Sequence, residues 1–216
     1  MKDQNLKLRV ETELQWNPSV DATHVGVAVD KAVVTLSGAV GTYAEKMAIE
    51  RTALNVKGVK GVAEEITVRP FGDTGVADDE IAKRALRTLE WDVMVPEDGI
   101  QVRVENGLVS LSGEVEWQFQ RDAAARAVQN LYGVLALNNH ITLKTRVQAT
   151  DIHKRIGDAL DRQAHIDGDA IRVTIECGQA RLDGKVNAWA DRRVIERAVW
   201  SAAGVTSVDD RVTVAA

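Results

Sequence analysis

Slid along itself by 75 residues and then by 71, the chain falls into register with itself. Gly38, Gly113 and Gly184 superpose, and so do Gly58, Gly133 and Gly204, each of the latter three followed by valine. Apolar columns keep the same register, among them Leu14, Leu89 and Leu160, then Val27, Val102 and Val173, then Leu36, Leu111 and Leu182. Self-similarity at a fixed period means that one folding unit has been repeated. The 216 residues are expected to divide into three domains, at 3–70, 78–146 and 150–216. Each holds about 65 residues, near the lower size at which one apolar core outweighs chain entropy. The joints are short: "PFGDTGVA" (70–77) has the proline and glycine content of a linker, and "TRVQAT" (145–150) leaves little slack.

Within a copy the pattern predicts five elements. "DDEIAKRALRTLEW" opens with acidic residues suited to a helix N-terminus and places Ile81, Ala85 and Leu89 on one stripe, which predicts a first helix. "IQVRVE" alternates, Asn106-Gly107 is the dipeptide favoured in a two-residue hairpin turn, and "LVSLSGEV" returns as a second strand. "WQFQRDAAARAVQNLYG" predicts a second helix stopped at Gly133, and Thr42 with Glu45 gives its first-copy counterpart a capping box. "VLALNNHITL" supplies a third strand. The order is αββαβ. Alternation in the strands leaves one face of each sheet polar, so the fold class expected is α+β: tandem two-layer sandwiches, each a three-stranded mixed sheet covered by two helices on one face. A right-handed crossover makes the third strand parallel to the second, with the first strand expected between them. Gly38, Gly113 and Gly184 read as structural, marking either a bulge or a close approach of the first helix to the strand.

Composition narrows the function. Hydrophobic residues make up 45% and charged residues 27%, with three prolines, which is the balance of a globular chain. A net charge of −5 lacks the basic field that phosphate neutralisation needs, so no nucleic-acid partner is expected. No apolar run reaches the roughly 20 residues of a transmembrane helix, and the charged opening "MKDQNLKLRVETELQW" predicts neither a signal peptide nor export. Cys177 is the one cysteine and reads as a hairpin-tip residue. His24, His140, His153 and His165 recur in no common column, and the "DGD" at 167–169 lacks the rest of a calcium loop. The serines of "LSG" have no partner histidine in equivalent places, and "GVKG" and "GDTG" lack the lysine followed by Ser or Thr of a phosphate loop. No catalytic residue, metal site or cofactor is expected.

Three stretches carry a family pattern: the strand glycine of "LSG", a helix rich in small residues, and a glycine-valine pair leading into an apolar strand. The last reads "GVKGVAEEITV", "GVLALNNHITL" and "GVTSVDDRVTV" in the three copies. The chain resembles the BON domain, the bacterial osmotic-stress and nodulation module, in three tandem copies. That resemblance implies a non-enzymatic binding module connected with stress tolerance and with anionic phospholipid or envelope components. Many members of the family are periplasmic. The absence of a signal peptide here predicts a cytoplasmic chain, with the periplasm as the alternative.

Tryptophan and arginine supply the candidate contacts. Trp16 and Trp91 share a column at the end of the first helix and read as core anchors. Trp117 and Trp189 stand where the second helix begins. Their functional reading is contact with a membrane surface or another protein, and their structural reading is burial between copies. The third copy adds "WADRRVIER", which sets Trp189 beside Arg192, Arg193 and Arg197 and makes these four, with Trp117, the candidate lipid or partner contacts. Arg9, Arg84 and Arg155 form one column and Arg51, Arg126 and Arg197 another, read as structural pairs or core-packed stems. A scaffold that binds proteins or itself through open sheet faces and edges is the competing reading.

Overall fold

The structure, a computed structural model, describes residues 2–70, 75–96, 98–144, 171–176, 178–202 and 204–214. The first copy runs α1 (Lys2–Trp16), a short 3-10 turn (Ala22–His24), β1 (Val25–Asp30), β2 (Val33–Val40), α2 (Tyr43–Asn55) and β3 (Gly61–Val68). The second repeats it as α3 (Asp78–Trp91), β4 (Ile100–Glu105), β5 (Leu108–Val115), α4 (Gln118–Gln129) and β6 (Ala136–Leu143). The third contributes β7 (Ile171–Glu176), β8 (Gln179–Val186), α5 (Trp189–Trp200) and β9 (Ser207–Val214). Its expected first helix, with Arg155, Leu160 and Arg162, lies outside the described residues, as do Cys177, His153, His165 and the "DGD" turn.

Three separate three-stranded sheets form, one per copy, and the α+β class stands. The strand order corrects the expectation. In each sheet the second strand, not the first, is central: β1-β2-β3, β4-β5-β6 and β7-β8-β9. The hairpin pairs the first two strands antiparallel, with Val27 opposite Leu36, and the helical crossover returns the third strand parallel to the second, with Leu36 opposite Glu64. Both connections attach to the second strand, so only that strand has two neighbours. Helices cover one face. In the first copy Leu6, Val10 and Leu14 of α1 and Ile49 and Ala53 of α2 close over Val34, Leu36 and Ile66.

Gly38 and Gly113 are required by the entry into the hairpin rather than by helix one. Gly38, Gly113 and Gly184 have φ of +133°, +134° and +155°. A Cβ on Gly38 would overlap the carbonyl oxygen of His24, and one on Gly113 that of Gly99. The chain entering the first strand thus passes directly over the second. Thr67, Thr142 and Thr213 each donate a hydroxyl to the carbonyl of that same glycine, at 3.2, 3.1 and 3.2 Å, which ties the third strand to the same spot.

The hairpin turns differ in sequence but not in shape. Asn106 and Gly107 take φ of +51° and +73°, the left-handed pair that the dipeptide predicts. Lys31 and Ala32 adopt the same conformation, at +48° and +65°, without a glycine. Left-handed backbone costs an L-residue about 1–2 kcal/mol, so Ala32→Gly is expected to stabilise the first copy by about 0.5–1 kcal/mol after the entropy of glycine is deducted. Denaturant unfolding checks this, and a loss of stability would contradict it.

Residues 1–142 form one compact unit and 143–216 a second. The first unit holds two copies, although "PFGDTGVA" reads as a linker between them. Tyr43, at the head of α2, takes a hydrogen bond from the backbone of Leu137 in the second copy. Burial, with the charges of Glu64 and Glu50, pushes its hydroxyl above the ordinary tyrosine range.

Candidate functional site

The start of the second helix, where Trp117, Trp189, Arg192, Arg193 and Arg197 were expected to act, is organised by a strap that recurs in all three copies. Lys46, Arg121 and Arg192 occupy one column on the second helix, and Glu64, Asn139 and Asp210 one column on the third strand. The Lys46 amine donates to the Ile66 carbonyl at 2.9 Å and lies 3.5 Å from the Glu64 carboxylate. In the second copy the Asn139 amide donates to the Arg121 carbonyl at 3.2 Å, while the Arg121 guanidinium reaches the Asn139 carbonyl at 3.5 Å. In the third the Arg192 guanidinium meets the Asp210 carboxylate at 2.7 Å, with both side chains at most a quarter exposed. Arg192 also stacks over the Trp189 ring, 4.8 Å from its centroid. It is therefore a structural cation. Trp117 and Trp189 are half-buried, and only Arg193 and Arg197 of the proposed cluster project as exposed charges.

Capping fixes the same helix start. Thr42 accepts from the Glu45 N–H at 3.1 Å, and Glu45 reaches back to the Gly41 and Asp21 N–H groups at 3.2 and 2.9 Å. Gln120 does the equivalent in the second copy, accepting from Glu116 and Trp117 at 3.0 Å each.

The tryptophans expected in the core are outside it. Trp16 is 81% exposed and Trp91 84%, next to Val93 at 95% and Met94 at 48%. Helix phase accounts for this, since at 100° per residue Trp91 sits roughly 200° around the axis from the buried Leu89. It shares a flank with Arg87 and Arg84, four and seven positions earlier, as Trp16 does with Arg9. Arg84 pairs with Glu80 of its own helix, at 3.0 Å with both side chains near half-exposed, a surface pair of small energetic weight. An exposed indole with guanidinium groups on the turns before it can do two things at once: bury an apolar ring at an interface and hold anions beside it.

Among the described residues no polar or charged residue is buried, and no group of three or more metal-ligating side chains converges. No helix among them is long and apolar enough to cross a membrane.

The family model of the BON domain matches residues 2–70, 77–145 and 148–216. The chain belongs to the BON domain family. Its BON copies are similar to the osmotically-inducible protein Y of Escherichia coli (strain K12), with 30% identity over 153 residues that cover 67% of this chain and 74% of that protein. Two solved structures of CdsD, a structural protein of the type III secretion system of Chlamydia trachomatis, align as well. One shows 17% identity and a TM-score of 0.28, covering 98% of this chain and 92% of that one. The other, a C-terminal domain, shows 18% identity and a TM-score of 0.27, covering 98% of both. Superposition of that quality carries no functional argument.

Proposed function

We propose that this BON protein is a non-catalytic, stress-related binding module that attaches to anionic phospholipid surfaces, and that the exposed Arg–Trp flanks of α1 and α3 make the contact. The observation that carries the reading is the exposure of Trp16 and Trp91 at the same place in two copies. A fold that repeats an indole and leaves it in water each time forgoes the stability of burying it, and an interfacial role explains the repetition. Kinship with an osmotically inducible protein supports the stress connection. Arg192 is engaged by Asp210 and stacked on Trp189, while Arg193 and Arg197 are exposed on the same helix.

Vesicle co-sedimentation tests the reading. The full chain is expected to bind vesicles containing phosphatidylglycerol and to leave pure phosphatidylcholine in solution. The Trp16→Ala/Trp91→Ala variant is expected to bind on the order of tenfold more weakly for each indole removed. Equal, negligible binding to both vesicle types would remove the proposal. Capture of a defined protein that survives lipid removal would favour the scaffold reading instead. The comparisons give the cytoplasmic expectation no support, and the periplasmic alternative is carried with this proposal. Fractionation of the native host that returned the chain wholly in the cytosol would count against it.

A further inference from the structure

The three sheets share a fold and differ in what they turn toward solvent. Opposite the helices, the first sheet presents Ala28, Asp30, Thr35, Ser37, Ala63 and Glu65, which includes acids but no cation. The second presents one arginine, Arg103, held at 2.9 Å by Glu105 on the same strand. In the third, register sets Arg172 opposite Asp183 and Asp183 opposite Arg211, with Arg181 opposite Asp209 and Lys185 opposite Thr213. Arg172, Arg181, Lys185 and Arg211 are all exposed.

Register places three acids on this face with the four cations, Glu176, Asp183 and Asp209, so the face keeps one net positive charge, and Asp183 and Asp209 each stand between two cations. Asp209 accepts from Arg211 at 2.9 Å and from Arg181 at 3.3 Å, so it neutralises one of them at most. The hydrogen bond from Arg211 holds the Asp209 carboxyl below the usual carboxylate range, with Arg181 adding to the effect. These pairs are half-exposed on the arginine side, and exposed ion pairs contribute little, so a guanidinium can exchange a carboxylate for a phosphate at small expense.

We infer that the outward face of the third sheet is a cationic plane that docks on an anionic phospholipid bilayer, an inference that rests on the lipid reading above and adds to it a second contact of different character. The neutral members of the face, Thr174, Gln179, Ser207 and Thr213, offer no aromatic ring or long apolar chain for insertion. Size decides the kind of partner. Three strands of up to eight residues present about 350 Å², well below the roughly 800 Å² per partner of a stable protein interface. Attraction to a charged bilayer depends on the number of cations near the surface and not on contact area. The first two copies thus bring exposed indoles, and the third brings charge.

The test replaces Arg172, Lys185 and Arg211 by glutamine in the full chain and keeps the Arg181–Asp209 pair. The control, Lys2→Gln/Lys57→Gln/Lys60→Gln, makes the same change of net charge with exposed lysines of the first copy. On phosphatidylglycerol-containing vesicles at low salt, the sheet variant is expected to bind about a hundredfold more weakly and with a flatter salt dependence. The control is expected to bind within about threefold of the parent. Lys185→Gln alone is expected to cost about fivefold, and its fold is not in question because no strand packing is touched. Parent-like binding by the sheet variant overturns the inference and leaves the lipid reading standing. Failure of the parent to bind vesicles removes both. Retention of the parent on heparin, lost in the sheet variant while vesicle binding persists in both, reassigns the face to a soluble polyanion and overturns the bilayer assignment.

Discussion

Gly113→Ala is expected to unfold the second copy. The substituted Cβ would occupy the space of the Gly99 carbonyl oxygen, and the backbone would have to keep φ near +134°, where L-residues are rarely found. Neither problem has a local solution. Moving Gly99 displaces the start of β4, and relaxing φ at Gly113 breaks the central strand of the sheet between its two partners. A loss of about 4 kcal/mol or more follows, comparable with the whole stability of a domain this small. Hydrogen exchange is the suitable measurement, since amides of β4, β5 and β6 should lose protection while those of β7, β8 and β9 keep theirs. Gly61→Ala is the control. Gly61 also lies on a strand, but its Cβ would meet nothing within 4 Å and its backbone is ordinary. A Gly113→Ala chain as well protected as Gly61→Ala would refute the close-approach account for Gly38 and Gly113.

These glycines show what kind of information the sequence held. A column of glycine repeated in register is visible without coordinates, because only a backbone requirement explains it three times. Which atom made the requirement was not visible: helix one was the expected neighbour, and the carbonyl before the first strand is the actual one. The same limit explains the strand order. Pairing directions follow from connection lengths, and the parallel crossover was correctly expected, but placing the first strand centrally overlooked that both connections attach to the second.

The residues of the candidate site were legible in composition, but the exposure of two tryptophans was not. Trp16 and Trp91 repeat like core residues, and repetition was read as burial, though the phase of Leu14 and Leu89 already puts a residue two places later on the opposite flank. Arg192 looked free because its partner, Asp210, is 18 residues away on another element. Aligning Lys46, Arg121 and Arg192 against Glu64, Asn139 and Asp210 would have shown it, since the pair changes chemistry from copy to copy while its position does not. The outward faces of the sheets were expected to be polar, but their differing charge emerges only when register assigns each strand residue a neighbour.

Asp78→Ala is the second large loss expected, and it separates two roles for one carboxylate. The acidic run Asp78, Asp79 and Glu80 suits a helix N-terminus through the macrodipole, and on that reading the three are interchangeable. The structure makes Asp78 different. Its two oxygens accept from the N–H groups of Asn106 and Gly107 at 2.7 and 2.9 Å, so the start of α3 latches the tip of the β4–β5 hairpin. Asp3 does the same for Lys31 and Ala32, at 3.2 Å each. The hairpin N–H groups in a tight left-handed turn point outward together, and a carboxylate is the one side chain that satisfies both with charge-assisted bonds. Truncation to alanine should therefore cost about 2–3 kcal/mol, and Asp78→Asn, which keeps one acceptor and turns a donor toward the other N–H, about half of that or more. Asp79, exposed and paired with Lys83 on its own helix at 2.8 Å, carries the dipole contribution without the latch. Asp79→Ala should leave the unfolding midpoint almost unmoved, since exposed pairs of this spacing contribute little. If the two alanine variants unfold at the same denaturant concentration, the acidic run acts through the helix alone and the latch contributes nothing.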